Sequence, residues 1–340
     1  MFLEIKMKVK WPSFGSYILL HNAKSNAYPW IQCIRNALTF SDTVYLLDVD
    51  SSPEDTQAIY DEFKDEQRIV LKRLEGVWDM DDMAIVGRMK QLAREMVSEQ
   101  YCIYLDCDEI LKVSSRESLI DLVLNNVNDV ISVPYITFFG TPYQVADFPE
   151  SENWWRWKIF KNLPNIGHGI HGAARKYDEN GKVYMDKKTS DGCEIINLET
   201  LEIMPSILYM PPQYAHIGQI YKQAEKSDTE KAKISVIFSE VINDFPIVCL
   251  HYGWVNFKNK ADNAIKYWTK TKAFKTNVEH SNLFNGLTED KVVDKINEWS
   301  GIPTIPLHIK SHPDVIKPYL IEQMKPKILT ISLANHGPFG

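Results

Sequence analysis

The chain of 340 residues has no apolar run approaching the roughly 18 residues that a membrane-spanning helix needs, and charges are scattered through its first ten positions. Neither a transmembrane segment nor a signal peptide is expected, which points to a cytoplasmic protein or one held peripherally at a membrane. Cysteine is sparse: Cys33, Cys102, Cys107, Cys193 and Cys249 are odd in number, widely spaced and include no C-x-x-C pair. That usage disfavours a disulfide framework and fits buried small hydrophobes better than metal ligands. A basic excess is also lacking. With 38 Lys and Arg against 45 Asp and Glu, the formal charge of −7 argues against a protein that coats nucleic acid. No G-x-G-x-x-G and no G-x-x-x-x-G-K-[ST] is found after any strand-like run, which counts against a dinucleotide fingerprint and a P-loop.

What is there is an ordinary globular composition, 44% apolar and 11% aromatic, long enough for one large α/β domain with additions or two unequal ones. From Tyr17 the chain alternates short apolar runs with helical patterns, the signature of a parallel sheet with crossover helices. Strands are expected at Tyr17 to His21, Thr43 to Val49, Arg68 to Leu74 and Tyr101 to Leu105. Helices are expected at Tyr28 to Ala37, from Pro53 behind a Ser51 or Ser52 cap, and at Met83 to Ser98. The last of these carries Ile85, Met89, Leu92, Ala93 and Met96 on one stripe. Beyond Glu109 a helix over Ser115 to Leu124 precedes a β-branched and aromatic run, Val130 to Phe139. A strand at Trp157 to Phe160, hairpin chemistry at Asp178 to Gly181 and helices at Tyr221 to Ser239 and Lys260 to Ala273 follow.

The sharpest local feature is Tyr101-Cys102-Ile103-Tyr104-Leu105-Asp106-Cys107-Asp108-Glu109, an apolar strand ending in three carboxylates within four positions. In an open α/β sheet, ligands bind at the carboxyl ends of the strands. On extended backbone Asp106 and Asp108 leave the same face, where two hard oxygen ligands suit Mg²⁺ or Mn²⁺ completed by a substrate's phosphates. Glu109 is read as supporting structure. At the end of the second strand, Asp48 and Asp50 are candidates to accept from a base N–H or a ribose hydroxyl, against the plainer reading of a helix N-terminus. Trp154 and Trp155, adjacent on a strand, suggest a platform for a sugar face, while Trp157 reads equally as core.

Three pieces together resemble the family 2 type of GT-A-fold glycosyltransferases: Leu47-Asp48-Val49-Asp50-Ser51-Ser52 with Tyr28-Pro29-Trp30, the Asp106-Cys107-Asp108-Glu109 strand end, and His251-Tyr252-Gly253-Trp254. The likeness is to a bacterial subgroup that also carries elements similar to Phe138-Phe139-Gly140-Thr141, Trp154 to Asn162 and His312-Pro313, and it runs loosely from about residue 15 to 315. It implies a mixed, mostly parallel central sheet flanked by helices. It further implies a catalytic domain over 1–275, with a nucleotide-sugar-binding half at 15–112 and an acceptor half at 113–275, and a helical C-terminal appendage at 276–340.

The activity implied is inverting transfer of a sugar from a nucleotide donor, most readily a UDP- or GDP-sugar, to a glycan, lipid-linked or protein acceptor. The resemblance also implies a Mn²⁺ or Mg²⁺ ion bridging the donor diphosphate. Carried over, Asp106, Asp108 and His251 would hold the metal, and Asp48 or Asp50 the nucleoside. Arg88, Arg156, Lys158 and Lys258 are basic candidates facing the diphosphate, with Trp254 at the donor. An inverting transfer needs a carboxylate base, for which Asp191 leads and Glu194, Glu152 and Glu150 are rivals. The opening turn, His21-Asn22-Ala23, departs from the family's usual Thr-Tyr-Asn-like residues. A sugar-1-phosphate nucleotidyltransferase stands behind, since residues 21–26 contain no glycine. A non-catalytic carbohydrate-binding or scaffold protein is the reading from a different class.

Overall fold

A computed structural model describes residues 11–79, 85–139, 144–146, 155–169, 175–177, 183–185, 194–209, 211, 213, 244–255, 304–306 and 312–322. In chain order its elements are β1 (Phe14–Leu20), α1 (Trp30–Ala37), β2 (Thr43–Val49), α2 (Pro53–Phe63), β3 (Ile69–Leu74), α3 (Ile85–Glu95), β4 (Tyr101–Asp106), β5 (Glu109–Val113), α4 (Arg116–Leu124) and β6 (Val130–Phe139). Then come β7 (Gln144–Ala146), β8 (Trp155–Lys161), β9 (Ile166–His168), β10 (Arg175–Tyr177), β11 (Val183–Met185), β12 (Ile195–Asn197), β13 (Ser206–Leu208), β14 (Ile247–Trp254) and β15 (Thr304–Pro306).

Eleven of the described strands form one mixed sheet along the path β15-β7-β6-β8-β4-β1-β2-β3, with β13, β14 and β5 joined at its side. The four strands expected from the first third of the sequence form a parallel run within it: β1 lies between β2 and β4, and β3 takes the edge. The expected α/β fold with a mixed central sheet is thus present. β4 marks the change of character, because its other neighbour, β8, runs antiparallel. β14 pairs parallel with β6 and antiparallel with β5, which carries its carboxyl half across to the end of β4. β10 and β11 pair antiparallel on either side of the predicted hairpin turn, whose own residues 178–181 lie outside those described, as do both helices expected between 221 and 273.

The two faces of the sheet carry separate cores. On one, α1 presents Trp30, Cys33, Ile34 and Ala37, the i, i+3, i+4, i+7 stripe, against Phe14, Ile18 and Leu20 of β1. α2 starts where Pro53 follows Ser52, whose hydroxyl accepts from the Asp55 N–H. On the other face α3 packs Ile85, Met89 and Ala93 against Tyr17, Tyr45 and Tyr104. Here the expected stripe is rotated: Leu92 is 37% exposed, while Lys90, Gln91 and Arg94 are buried. Each of the three polar side chains has a partner inside, so apolar periodicity alone misplaces the face.

Residues 304–306 and 312–322 join the same body. β15 pairs with β7, and the turn at Asp314–Ile316 leads into a short helical segment whose Ile316, Tyr319 and Leu320 belong to the α1-side core. Among the described residues no helix is long and apolar enough to cross a membrane. Cys33, Cys102, Cys107 and Cys249 are free thiols; burial raises Cys33 and Cys249 well above the usual thiol range and pushes Cys102 up to about 12.

Candidate active site

The three carboxylates at the end of β4 have different partners. The backbone leaves extended geometry at Cys107 and Asp108, which form the turn into β5, so the expected common face for Asp106 and Asp108 is lost. Each acid instead faces its own partner. Asp106 Oδ1 lies 3.3 Å from Nζ of Lys90, a side chain only 4% exposed. Burial works against charge on Asp106, but Lys90 and then Lys158 outweigh it and hold the carboxyl below the usual carboxylate range, against the opposing charge of Asp108. Asp108 points the other way, with Oδ2 3.3 Å from His251 Nε2. Glu109 turns inward, accepting from the Asp106 N–H at 2.9 Å and pairing with Lys158 at 2.5 Å.

His251 arrives on β14. Its ring stacks on Tyr135 at 5.6 Å between centroids, and its Nδ1 is 3.4 Å from Thr137 Oγ1. The register of β14 on β6 shifts between His251 and Trp254, and within that irregularity the Tyr252 N–H donates to the Asp108 carbonyl at 2.8 Å. Gly253 sits beneath the pair. A Cβ there would stand 2.2 Å from Asp108 Oδ2 and 2.7 Å from His251 Nε2. The glycine of the His-Tyr-Gly-Trp element is therefore required by the convergence of an acid and an imidazole, two donors that together suit a borderline divalent ion. Among the described residues no group of three or more His, Cys, Asp or Glu is arranged around one point. Asp108 and His251 could serve as two donors to a cation, while Asp106 is paired with Lys90.

The end of β2 is equally divided. Asp48 is fully buried and accepts from Thr56 Oγ1 at 2.7 Å, while its Oδ1 has no hydrogen-bond partner. Asp50, at φ 48°, takes the backbone N–H groups of Gly76, Val77 and Trp78 at 2.5, 2.8 and 2.6 Å. Burial raises Asp50, but those three amides more than offset it and its carboxyl falls below the ordinary range. The loop so held lays Trp78 flat on His21, 4.1 Å between centroids and 6° from parallel. Asp55 anchors the loop after β1, accepting from the N–H groups of Lys24 and Ser25 at 2.7 and 2.9 Å and from the hydroxyls of Ser25 and Ser52.

Hydrogen bonds to a charged acceptor stabilise by roughly 1.5–3 kcal/mol, so Asp55→Ala is expected to cost about 2–3 kcal/mol in urea unfolding. Those bonds also hold the Asp55 carboxyl below its ordinary range, although burial pushes it up. An acid lowered on folding stabilises above its unfolded value near 4 and loses that contribution as pH falls through the folded one. The acid side of the stability profile is therefore expected to be shallower in Asp55→Asn than in the wild type.

The remaining candidates are scattered. Arg88 is exposed on α3, and Lys90, two residues on, is the basic group at Asp106. Lys158 is buried in its ion pair, and Arg156 lies 5.5 Å from the Tyr135 ring. Trp155 is core, its Nε1 donating to the Tyr209 carbonyl at 3.1 Å, which replaces the platform reading for that residue. Trp157 packs against the α3-side core, and Trp254 is half-buried at the end of β14. Glu194 precedes β12, which pairs with β9. Asp191, Glu150, Glu152, Trp154 and Lys258 lie outside the described residues.

Sequence reasoning missed Lys90, which lies beside the expected apolar stripe of α3 and not on it. It also missed His168, fully buried on β9. The His168 N–H donates to Gln91 Oε1 at 2.9 Å, its Nε2 bonds the Tyr17 hydroxyl, and its ring meets Tyr104 edge-on at 4.8 Å.

No family model and no curated protein matches the chain. Among solved structures it is similar to TarS 1-349 of S. aureus, with a TM-score of 0.35 and 12% identity over 85% of this chain and 82% of that one. The same protein in complex with UDP-GlcNAc gives 0.33 and 11% over 86% and 82%. A 4-diphosphocytidyl-2C-methyl-D-erythritol synthase from Anaerococcus prevotii gives 0.28 and 11% over 44% of this chain and 70% of that one. Likenesses of this size carry no functional argument.

Proposed function

We propose that the chain is a metal-dependent inverting glycosyltransferase of the GT-A type, moving a sugar from a nucleoside diphosphate donor to a hydroxyl acceptor. The observation that carries this reading is the Asp108–His251 pair converging over Gly253 at the carboxyl end of β4. Asp108 and His251 would hold a divalent cation, and such an ion would supply the positive charge that a departing diphosphate needs. Lys90 keeps Asp106 ionised at the rim, available to a donor ribose or to the cation's waters. For the nucleoside, Asp50 spends both oxygens on loop amides, so Asp48, with Oδ1 unpaired, is the better of the two candidates. Asp191 remains the proposed base, ahead of Glu194 and Glu152. The nucleotidyltransferase reading is disfavoured further, because amides of the loop after β1 that a phosphate cradle would use are given to Asp55.

A thermal-shift screen of UDP-, GDP-, dTDP- and CMP-sugars with and without Mn²⁺ tests the proposal. A ligand at a hundred times its Kd adds about 2.7 kcal/mol to the native state, so one nucleotide class is expected to raise the Tm by a few degrees in the presence of Mn²⁺ and not with EDTA. Absence of a shift with every donor would favour the scaffold reading.

A further inference from the structure

We propose that His312 is a positioning residue for the Asp108–His251 pair and acts through Tyr252; this rests on reading that pair as the cation's donors. Tyr252 lies between His251 and Gly253 in the irregular part of β14 and is fixed at three points. Its N–H donates to the Asp108 carbonyl at 2.8 Å, its ring stacks on Phe138 at 4.8 Å, and its hydroxyl meets His312 Nδ1 at 2.8 Å. Both side chains of this last contact are buried, and the His312 ring also lies 5.1 Å from Phe138.

The first two anchors come from the site's own strands, whereas the third comes from the far end of the chain. Residues 312–322 are seated in the α1-side core through Ile316, Tyr319 and Leu320, and the Tyr319 hydroxyl donates to the Ala27 carbonyl at 3.2 Å in the loop after β1. One segment thereby ties the loop at the nucleotide end of the sheet to the strand that carries His251. A displacement of the Tyr252 side chain from this packing would be passed to the backbone on both sides of it, and with it to the imidazole and to the glycine that makes room for it. The contact through which His312 acts is the one with the Tyr252 hydroxyl. Its role is to hold that ring in place.

Tyr252→Phe, which deletes one hydroxyl, and His312→Phe break the contact; His312→Asn keeps a polar atom near the position of Nδ1. The first measurement is the His251 ring signal in ¹H–¹³C spectra of the metal-free full chain at fixed pH, and the second is the Mn²⁺ dissociation constant without donor. Partners that orient a ligand typically change metal affinity by ten- to a hundredfold. Tyr252→Phe and His312→Phe are expected to displace the His251 signal and weaken Mn²⁺ binding about tenfold, with His312→Asn returning both toward the wild type. An undisturbed His251 signal in a folded Tyr252→Phe protein would overturn the proposal. A wild type that binds no Mn²⁺ would refute the metal reading alone, because the His251 signal still decides the positioning role. Should His312→Phe fail to fold, Tyr252→Phe carries the test.

Discussion

Gly253→Ala is expected to lower sugar transfer, or hydrolysis of the nucleotide sugar, by at least ~100-fold while moving the Tm by no more than a few degrees, because misplacing reacting groups by about 1 Å costs that much. The clash is confined. The added Cβ meets Asp108 Oδ2 at 2.2 Å and His251 Nε2 at 2.7 Å, both at the ends of side chains. Gly253 is outside the left-handed region, so alanine brings no backbone strain. The fold accommodates the methyl group by displacing the acid and the imidazole, which are the two groups the proposed reaction needs together. Asp108→Asn is the companion variant, since it keeps the shape and removes the charge. Its turnover is expected to fall by about 10²–10³-fold, as for loss of a preorganised electrostatic contact. Steady-state kinetics beside thermal unfolding separate the effects: full activity in either variant removes the pair from the mechanism, and a Tm collapse in Gly253→Ala would make the glycine a folding requirement.

The first four strands and their helices are legible in the sequence because each repeats one physical pattern. Thr43 to Val49 is a strand whose residues other than Asp48 are apolar or β-favouring, followed by acidic turn chemistry, and its bounds coincide with β2. Ser115, read as the first residue of the expected helix, is instead the N-cap of α4, its hydroxyl accepting from the Ser118 N–H. The carboxylates at the end of β4 are legible in kind but not in arrangement. Period-two reasoning places Asp106 and Asp108 on one face only while the backbone stays extended, and nothing local announces that Cys107 and Asp108 turn.

The partners of these acids come from α3, β8 and β14, up to 143 positions away, and such pairings have no signature in a single sequence. Lys90 was hidden by its helix. A lysine beside Met89 is ordinarily solvated, and only the acid across the core draws it in. His251 was found through its neighbours, and the structure now supplies a physical reason for one of them: Gly253 is small because two functional groups meet above it.

Lys158→Met is expected to cost about 3–5 kcal/mol of stability, the range for removing one partner of a buried ion pair. Lys158 Nζ and Glu109 Oε2 are 2.5 Å apart with both side chains 2% exposed, and the ammonium lies 4.3 Å from the Tyr104 ring. Deleting the lysine leaves the buried Glu109 carboxylate without its counter-charge. The double variant Lys158→Met with Glu109→Gln removes that uncompensated charge and is expected to regain much of the loss, so the pair should show strong coupling in a double-mutant cycle. Alkaline pH gives an independent measurement. Burial alone would lower the Lys158 pKa, but Glu109, ahead of Cys249 and Asp106, outweighs it and the value is raised. A base raised on folding stabilises below its unfolded value near 10.4 and loses that contribution as pH climbs through the folded value. Urea midpoints between pH 7 and 11 are therefore expected to fall more steeply above about pH 10 in the wild type than in the double variant. Equal slopes, or a Lys158→Met protein as stable as the wild type, would show that the pair contributes nothing. The same Glu109 oxygen accepts the Asp106 N–H at 2.9 Å, so restoring stability through Glu109→Gln leaves an amide oxygen to hold that strand end. Activity recovered together with stability would then locate the role of Lys158 in the scaffold beneath Asp106, and activity lost while stability returns would locate it in the electrostatics that keep Asp106 ionised.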